Sequence, residues 1–201
     1  MKEIIFLLEE RSAEELLSIL LPKIIPSDEF LFRCIPHEGK SALKKSIPRK
    51  LRAWKEPNVQ FVILHDQDSA DCFVLKNNLI TLAKDGRRSD TLVRIVCTEL
   101  ESWFLGDLDA VEKAFSVNLS KKKNKITYQN PDAISNAKEE LRRLVPQYQP
   151  INGARSISKY MDINKNKSKS FQVFVSGVHR LCKGEIRYGL TEDEIKVVEQ
   201  K

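Results

Sequence analysis

The 201-residue sequence predicts an α/β protein built on a parallel sheet flanked by helices. Three observations predict it. Short apolar runs alternate with amphipathic stretches through the first hundred residues. The runs Ile4–Leu8 and Phe61–Leu64 are continuously apolar, as in strands covered on both faces. Acidic residues follow the ends of several of these strands, where open α/β sheets bind their ligands.

The elements follow in order. Ile4–Leu8 reads as the first strand. Ser12-Ala13-Glu14-Glu15 matches a capping box, with Ser12 as N-cap of a helix that presents Leu16, Leu17 and Leu20, and Pro22 and Pro26 close it. Phe30–Ile35 reads as the second strand. Lys40–Trp54 is helical, with Pro48 as a kink or a second start. After the third strand, Phe61–Leu64, come a helix over Phe73–Ala83 that ends near Gly86, a fourth strand over Thr91–Cys97, and a helical stretch over Glu99–Phe115 that breaks at Gly106. The remainder reads as helices over Asn136–Val145 and Phe171–Cys182, with basic loops at Lys121–Lys125 and Asn164–Lys169. The expected organisation is an α/β core over residues 1–118 and a basic helical appendage over 119–201, packed on the core as one structural unit.

Composition narrows the function classes. An apolar fraction of 41% supplies a core, and 31% charge suits a soluble surface. No apolar run approaches the roughly 20 residues of a membrane span. The five apolar residues Ile4–Leu8, flanked by acids, are too few for a secretory leader, so a cytoplasmic location is expected. Cys34, Cys72, Cys97 and Cys182 lack zinc-site spacing and read as reduced thiols. The net charge of +6 is uneven. Residues 1–120 hold 17 basic against 19 acidic side chains, and residues 121–201 hold 17 against 9. An acidic part followed by a basic one fits a polyanionic partner, or a solubilising surface.

Glu9 and Glu10 follow the first strand, Asp66, Asp68 and Asp71 the third, and Glu99 and Glu101 the fourth. Carboxylates gathered at one edge repel one another unless a cation neutralises them. Mg²⁺ or Mn²⁺, with its preference for oxygen ligands, is the expected partner of Glu9, Asp66 and Asp68. The competing reading makes Asp66, Asp68 or Asp71 helix caps, Glu10 a solvated acid, and Glu99 and Glu101 first-turn complements of a helix dipole. Arg49, Lys50 and Arg52 around Trp54, and Arg155, Lys165, Lys167 and Lys169 later, are candidate nucleic-acid contacts. Trp54 packed inward is the alternative. Gly39-Lys40-Ser41 is not a phosphate-binding loop, because Cys34 stands where that motif requires glycine.

A glutamate after the first strand and Asp66-x-Asp68 after the third resemble the TOPRIM fold of topoisomerases, primases and OLD-type nucleases. The segments Phe6–Ser12, Phe32–Lys40, Leu64–Cys72, Glu99–Asp107, Gly153–Arg155 and Ser168–Phe171 further resemble a small bacterial TOPRIM-like family that includes the toxin effector of PARIS anti-phage systems. The resemblance implies a Mg²⁺-dependent nuclease acting on RNA or DNA, with Glu9 as acid/base or ligand, Asp66 and Asp68 on the metal, and a separate ATPase chain as partner. Glu10-Arg11 replaces the glycine that follows the glutamate in many TOPRIM enzymes, which weighs against strand-passage or primer-synthesis chemistry. A non-catalytic binding or regulatory subunit of an ATPase is the alternative, and a phospho-receiver-like module a more distant one.

Overall fold

A computed structural model describes residues 1–185; the part of the expected appendage over 186–201 lies outside the described residues. Four strands, β1 (Lys2–Leu8), β2 (Phe30–Pro36), β3 (Val59–Asp66) and β4 (Leu92–Val96), form one parallel sheet in the order β2-β1-β3-β4. The helices are α1 (Arg11–Leu20), α2 (Lys40–Ala53), α3 (Cys72–Asp85), α4 (Glu101–Leu105), α5 (Leu108–Phe115), α6 (Ser120–Lys123), α7 (Ala137–Leu144), α8 (Pro150–Ser158) and α9 (Lys169–Cys182).

The chain leaves β1 toward β2 on one side and returns to β3 on the other. The two crossovers therefore lie on opposite faces, and the central β1–β3 pair marks the switch point. Alternate residues of β1 confirm the two layers. Ile5 and Leu7 pack with Leu43, Ile47 and Leu51 of α2 and Leu75 and Leu79 of α3. Ile4, Phe6 and Leu8 pack with Leu16, Leu17 and Leu20 of α1. Tyr148, Ile157, Phe171, Phe174 and Val178 from the C-terminal third join this second layer. Trp103 is fully buried there, edge-on to Phe171 with ring centres 5.1 Å apart, and its indole N–H donates to Ser170 Oγ at 2.9 Å.

Several local expectations are corrected. The capping box does not form. α1 starts at Arg11, with Glu10 extended at the N-cap position and no side-chain cap, and Ser12 turns into the core. α2 runs unbroken through Pro48. The Lys121–Lys125 stretch, expected as a loop, is helical as far as Lys123, and α8 is a helix not anticipated from the sequence. The break at Gly106 is real: a Cβ there would sit 2.2 Å from Asn166 Oδ1, and Asp107 caps the new helix through Ala110 N at 3.1 Å. Trp54 packs inward, its ring edge-on to Phe61 at 5.6 Å. None of the four cysteines is in a disulfide, and burial raises the thiol pKa of Cys34 to about 12. Among the described residues no helix is long and apolar enough to cross a membrane.

Candidate active site

The carboxyl ends of β1 and β3 lie side by side, with Leu8 paired to Leu64, so the chain extends Glu9 alongside His65 and Asp66. Glu9 Oε2 accepts the backbone N–H of Asp66 at 3.3 Å and faces His65 Nδ1 at 3.2 Å. The same imidazole nitrogen lies 2.6 Å from the carbonyl oxygen of Asp66. Both neighbours are acceptors, so Nδ1 carries the proton and donates. Nε2 is then a bare acceptor, buried and without a hydrogen-bond partner among the described residues. Burial lowers the His65 pKa, which keeps the ring neutral.

Asp66 Oδ2 accepts the backbone N–H of Leu100 at 3.1 Å, tying the end of β3 to the start of α4. Burial pushes this carboxyl well above the usual aspartate range, and the nearby charges of Glu9 and Glu101 push in the same direction. Glu9 is raised as well, chiefly by burial, with Asp68 and Glu10 adding repulsion. Glu101 is buried, its pKa is raised chiefly by burial, and it accepts the phenolic O–H of Tyr148 at 3.0 Å.

Asp68 sits in the loop after β3 with φ of 51°, a left-handed conformation that aspartate tolerates better than most residues. Two backbone bonds to the end of β4 hold this loop: Gln67 N donates to Val96 O and Asp68 N to Thr98 O, each at 2.9 Å. The Asp68 carboxylate pairs with Lys40 Nζ at 3.0 Å.

The structure thus brings Glu9, Asp66 and Asp68 to one edge with Glu101 behind them. The remaining acids have other work. Asp71 caps α3, accepting from Phe73 N at 2.9 Å and Val74 N at 3.0 Å. Glu99 accepts Lys138 N at 2.9 Å, and Glu10 is exposed. The donor chemistry at the edge is all oxygen and hard, which suits Mg²⁺ or Mn²⁺. As placed, however, no three His, Cys, Asp or Glu side chains among the described residues group tightly enough to hold an ion. Asp68 is turned to Lys40, and Glu9 to the backbone of Asp66 and the ring of His65.

The basic residues are dispersed. Arg49, Lys50 and Arg52 fall in the second half of α2, about 14–18 Å along its axis from Lys40. Arg52 donates to Asp85 O at 2.6 Å. Arg155 forms a two-pronged pair with Glu15, at 2.6 and 2.7 Å. Lys165 pairs with Asp162 at 3.5 Å and Lys167 reaches Lys123 O at 3.4 Å; both line a cavity with Lys113, Tyr128 and Tyr160. Lys169 is exposed and opens α9, whose Ser170 Oγ accepts Cys97 N at the end of β4 at 3.3 Å. Sequence reading missed the partner of Asp68: Lys40 lies 28 positions away, and no spacing rule links the two.

The fold and site define an open parallel α/β protein with partly buried carboxylates at its switch point. The chain belongs to the family described as "Domain of unknown function (DUF4276)", which it matches over residues 8–179. A search of curated proteins finds no match. Among solved structures, the C-terminal region of the Burkholderia pseudomallei OLD protein shares the fold, with a TM-score of 0.55 and 17% identity over 90% of this chain and 98% of that one.

Proposed function

We propose that this protein is a divalent-metal-dependent nuclease of the TOPRIM type that hydrolyses phosphodiester bonds in RNA or DNA. The observation that carries this reading is the convergence of Glu9 and Asp66 at the switch point, both with carboxyls held above their ordinary pKa by burial. Carboxylates buried side by side cost stability, and a site that binds cations gives that cost a purpose. Bound Mg²⁺ or Mn²⁺ would supply an acidified water and stabilise the departing oxygen. Glu9, Asp66 and Asp68 are the residues that would hold it. His65 fixes Glu9 through its Nδ1–H. Glu9, its pKa raised chiefly by burial, is better suited to take up a proton than an ordinary glutamate. Lys169, exposed at the start of α9, is suited to a backbone phosphate. The TOPRIM resemblance supports the reading, and the shared fold with the OLD region agrees with it at the level of architecture. By the same resemblance, the setting is phage defence or toxicity in the cytoplasm, with a separate ATPase as partner.

A second reading, a non-catalytic subunit of that ATPase, is favoured by one observation: the carboxylates do not close on a single point. Calorimetric titration with Mn²⁺, wild type against Asp66→Asn, combined with cleavage assays on RNA and DNA, separates the two. The nuclease reading requires binding and cleavage that both disappear in the variant while it remains folded. Metal binding without cleavage of either nucleic acid, with or without the ATPase, supports the second.

A further inference from the structure

The pairing of Lys40 with Asp68 is built with some care. His37 N donates to Leu8 O at 3.1 Å and Gly39 N to Glu9 O at 3.0 Å, so the loop between β2 and α2 is fastened to the end of β1. Gly39 has φ of 87°, which L side chains rarely adopt, and α2 begins at the next residue. Lys40 is thereby set at the first helical position, beside Glu9, with Nζ 3.0 Å from Asp68 Oδ2. The pair is open to water: the Lys40 side chain is 60% exposed and that of Asp68 37%. An exposed ion pair contributes about 0–1 kcal/mol, so it exchanges easily for a better partner.

Resting on the nuclease reading above, we infer that Lys40 is an exchangeable counter-ion: it occupies Asp68 in the metal-free protein, yields it to a divalent cation, and then binds a backbone phosphate of the nucleic acid. The inference accounts for why the carboxylates fail to converge as they stand. It also places a mobile cation beside the acids, which would otherwise repel a polyanionic substrate. Among the described residues Asp68 is the one acid in an ion pair with Lys40, and the charge of Glu9 acts on the same ammonium.

The two halves predict effects of opposite sign, which a merely structural lysine would not produce. Lys40→Met keeps the apolar stem and removes the charge. In titration with Mn²⁺ alone, this variant should bind about two- to fivefold more tightly than wild type, the range set by an exposed ion pair. With Ca²⁺ replacing Mn²⁺ to avoid cleavage, single-stranded RNA and DNA oligonucleotides are titrated separately at several salt concentrations. Whichever binds wild type should bind Lys40→Met more weakly, with the slope of log K against log salt smaller by about 0.7. Lys40→Arg should restore both values. Mn²⁺ affinity that is unchanged or lowered in Lys40→Met overturns the inference while leaving the nuclease reading intact. So does an unaltered salt slope, or a wild type that binds neither oligonucleotide. Absence of Mn²⁺ binding in wild type and variant alike removes the nuclease reading and the inference together.

Discussion

The backbone N–H of Asp66 donates to Oε2 of Glu9, joining the ends of two adjacent strands at 3.3 Å. The bond fixes one carboxylate against the residue that bears the other, and both carboxyls are raised in pKa. The sign of the linkage follows. A carboxyl with a raised folded pKa stabilises the fold fully below its unfolded value, here near 3.8 for Asp66 and 4.5 for Glu9, and that stability is lost as pH rises through the folded value. These two groups should therefore favour a higher melting temperature near pH 5 than at pH 8 in the metal-free protein, opposed by His65, whose lowered pKa makes its protonation below 6.5 destabilising. Asp66→Asn should flatten this slope and raise the melting temperature at pH 8 by about 2–4 °C, equivalent to about 1 kcal/mol for a domain of this size. Thermal denaturation across pH, in chelator, checks it; a variant less stable than wild type at pH 8 contradicts it.

Tyr148 gives a second test. Its ring is fully buried beside Phe104 and Phe115, and its hydroxyl serves Glu101 at 3.0 Å. Tyr148→Phe removes a donor to a buried acid and should cost about 1.5–3 kcal/mol at pH 8. The loss should be smaller at pH 5 than at pH 8, because burial raises the Glu101 pKa and favours its protonated form as pH falls. Denaturant unfolding at the two pH values measures both numbers.

Asp71 should behave as a helix cap outside the metal site. Asp71→Ala deletes the acceptor for two first-turn N–H groups of α3 and should destabilise by about 1 kcal/mol. Its Mn²⁺ affinity should match wild type. A large loss of metal binding with little change in melting would instead make Asp71 part of the site.

Gly153 lies under Tyr148: a Cβ there would stand 2.2 Å from the ring. Gly153→Ala should cost about 1–3 kcal/mol by forcing the ring aside. Chemical denaturation reads the cost, and a near-neutral effect would mean that the ring relocates freely.

That glycine also shows where sequence reading stopped. β1 and β3 were legible because Ile4–Leu8 and Phe61–Leu64 are covered on both faces, so their apolar runs are uninterrupted. Their order then indicated the edge at which Glu9 and Asp66 meet. α8 was not legible: Pro150-Ile-Asn-Gly-Ala-Arg-Ser-Ile-Ser158 contains poor helix formers, and the helix rests on packing of Gly153, Ala154 and Ile157 rather than on propensity. The Ser12–Glu15 spacing matched a capping box but lay inside the first turn, because β1 ends two residues before α1 begins. The Lys40–Asp68 pair depends on two loops meeting across the sheet edge, which no local pattern encodes.

The C-terminal helices that complete one face of the sheet carry a consequence for synthesis. All the carboxylates at the edge have been translated by residue 101, whereas Phe171, Phe174 and Val178, in one core cluster with Ile4, Phe6 and Leu8, arrive about 70–77 residues later. At about 5–20 residues per second, that is an interval of roughly 4–15 s. During it, a nascent chain holds every acid of the site beside an open apolar surface, so the interval is when a chaperone has most to protect.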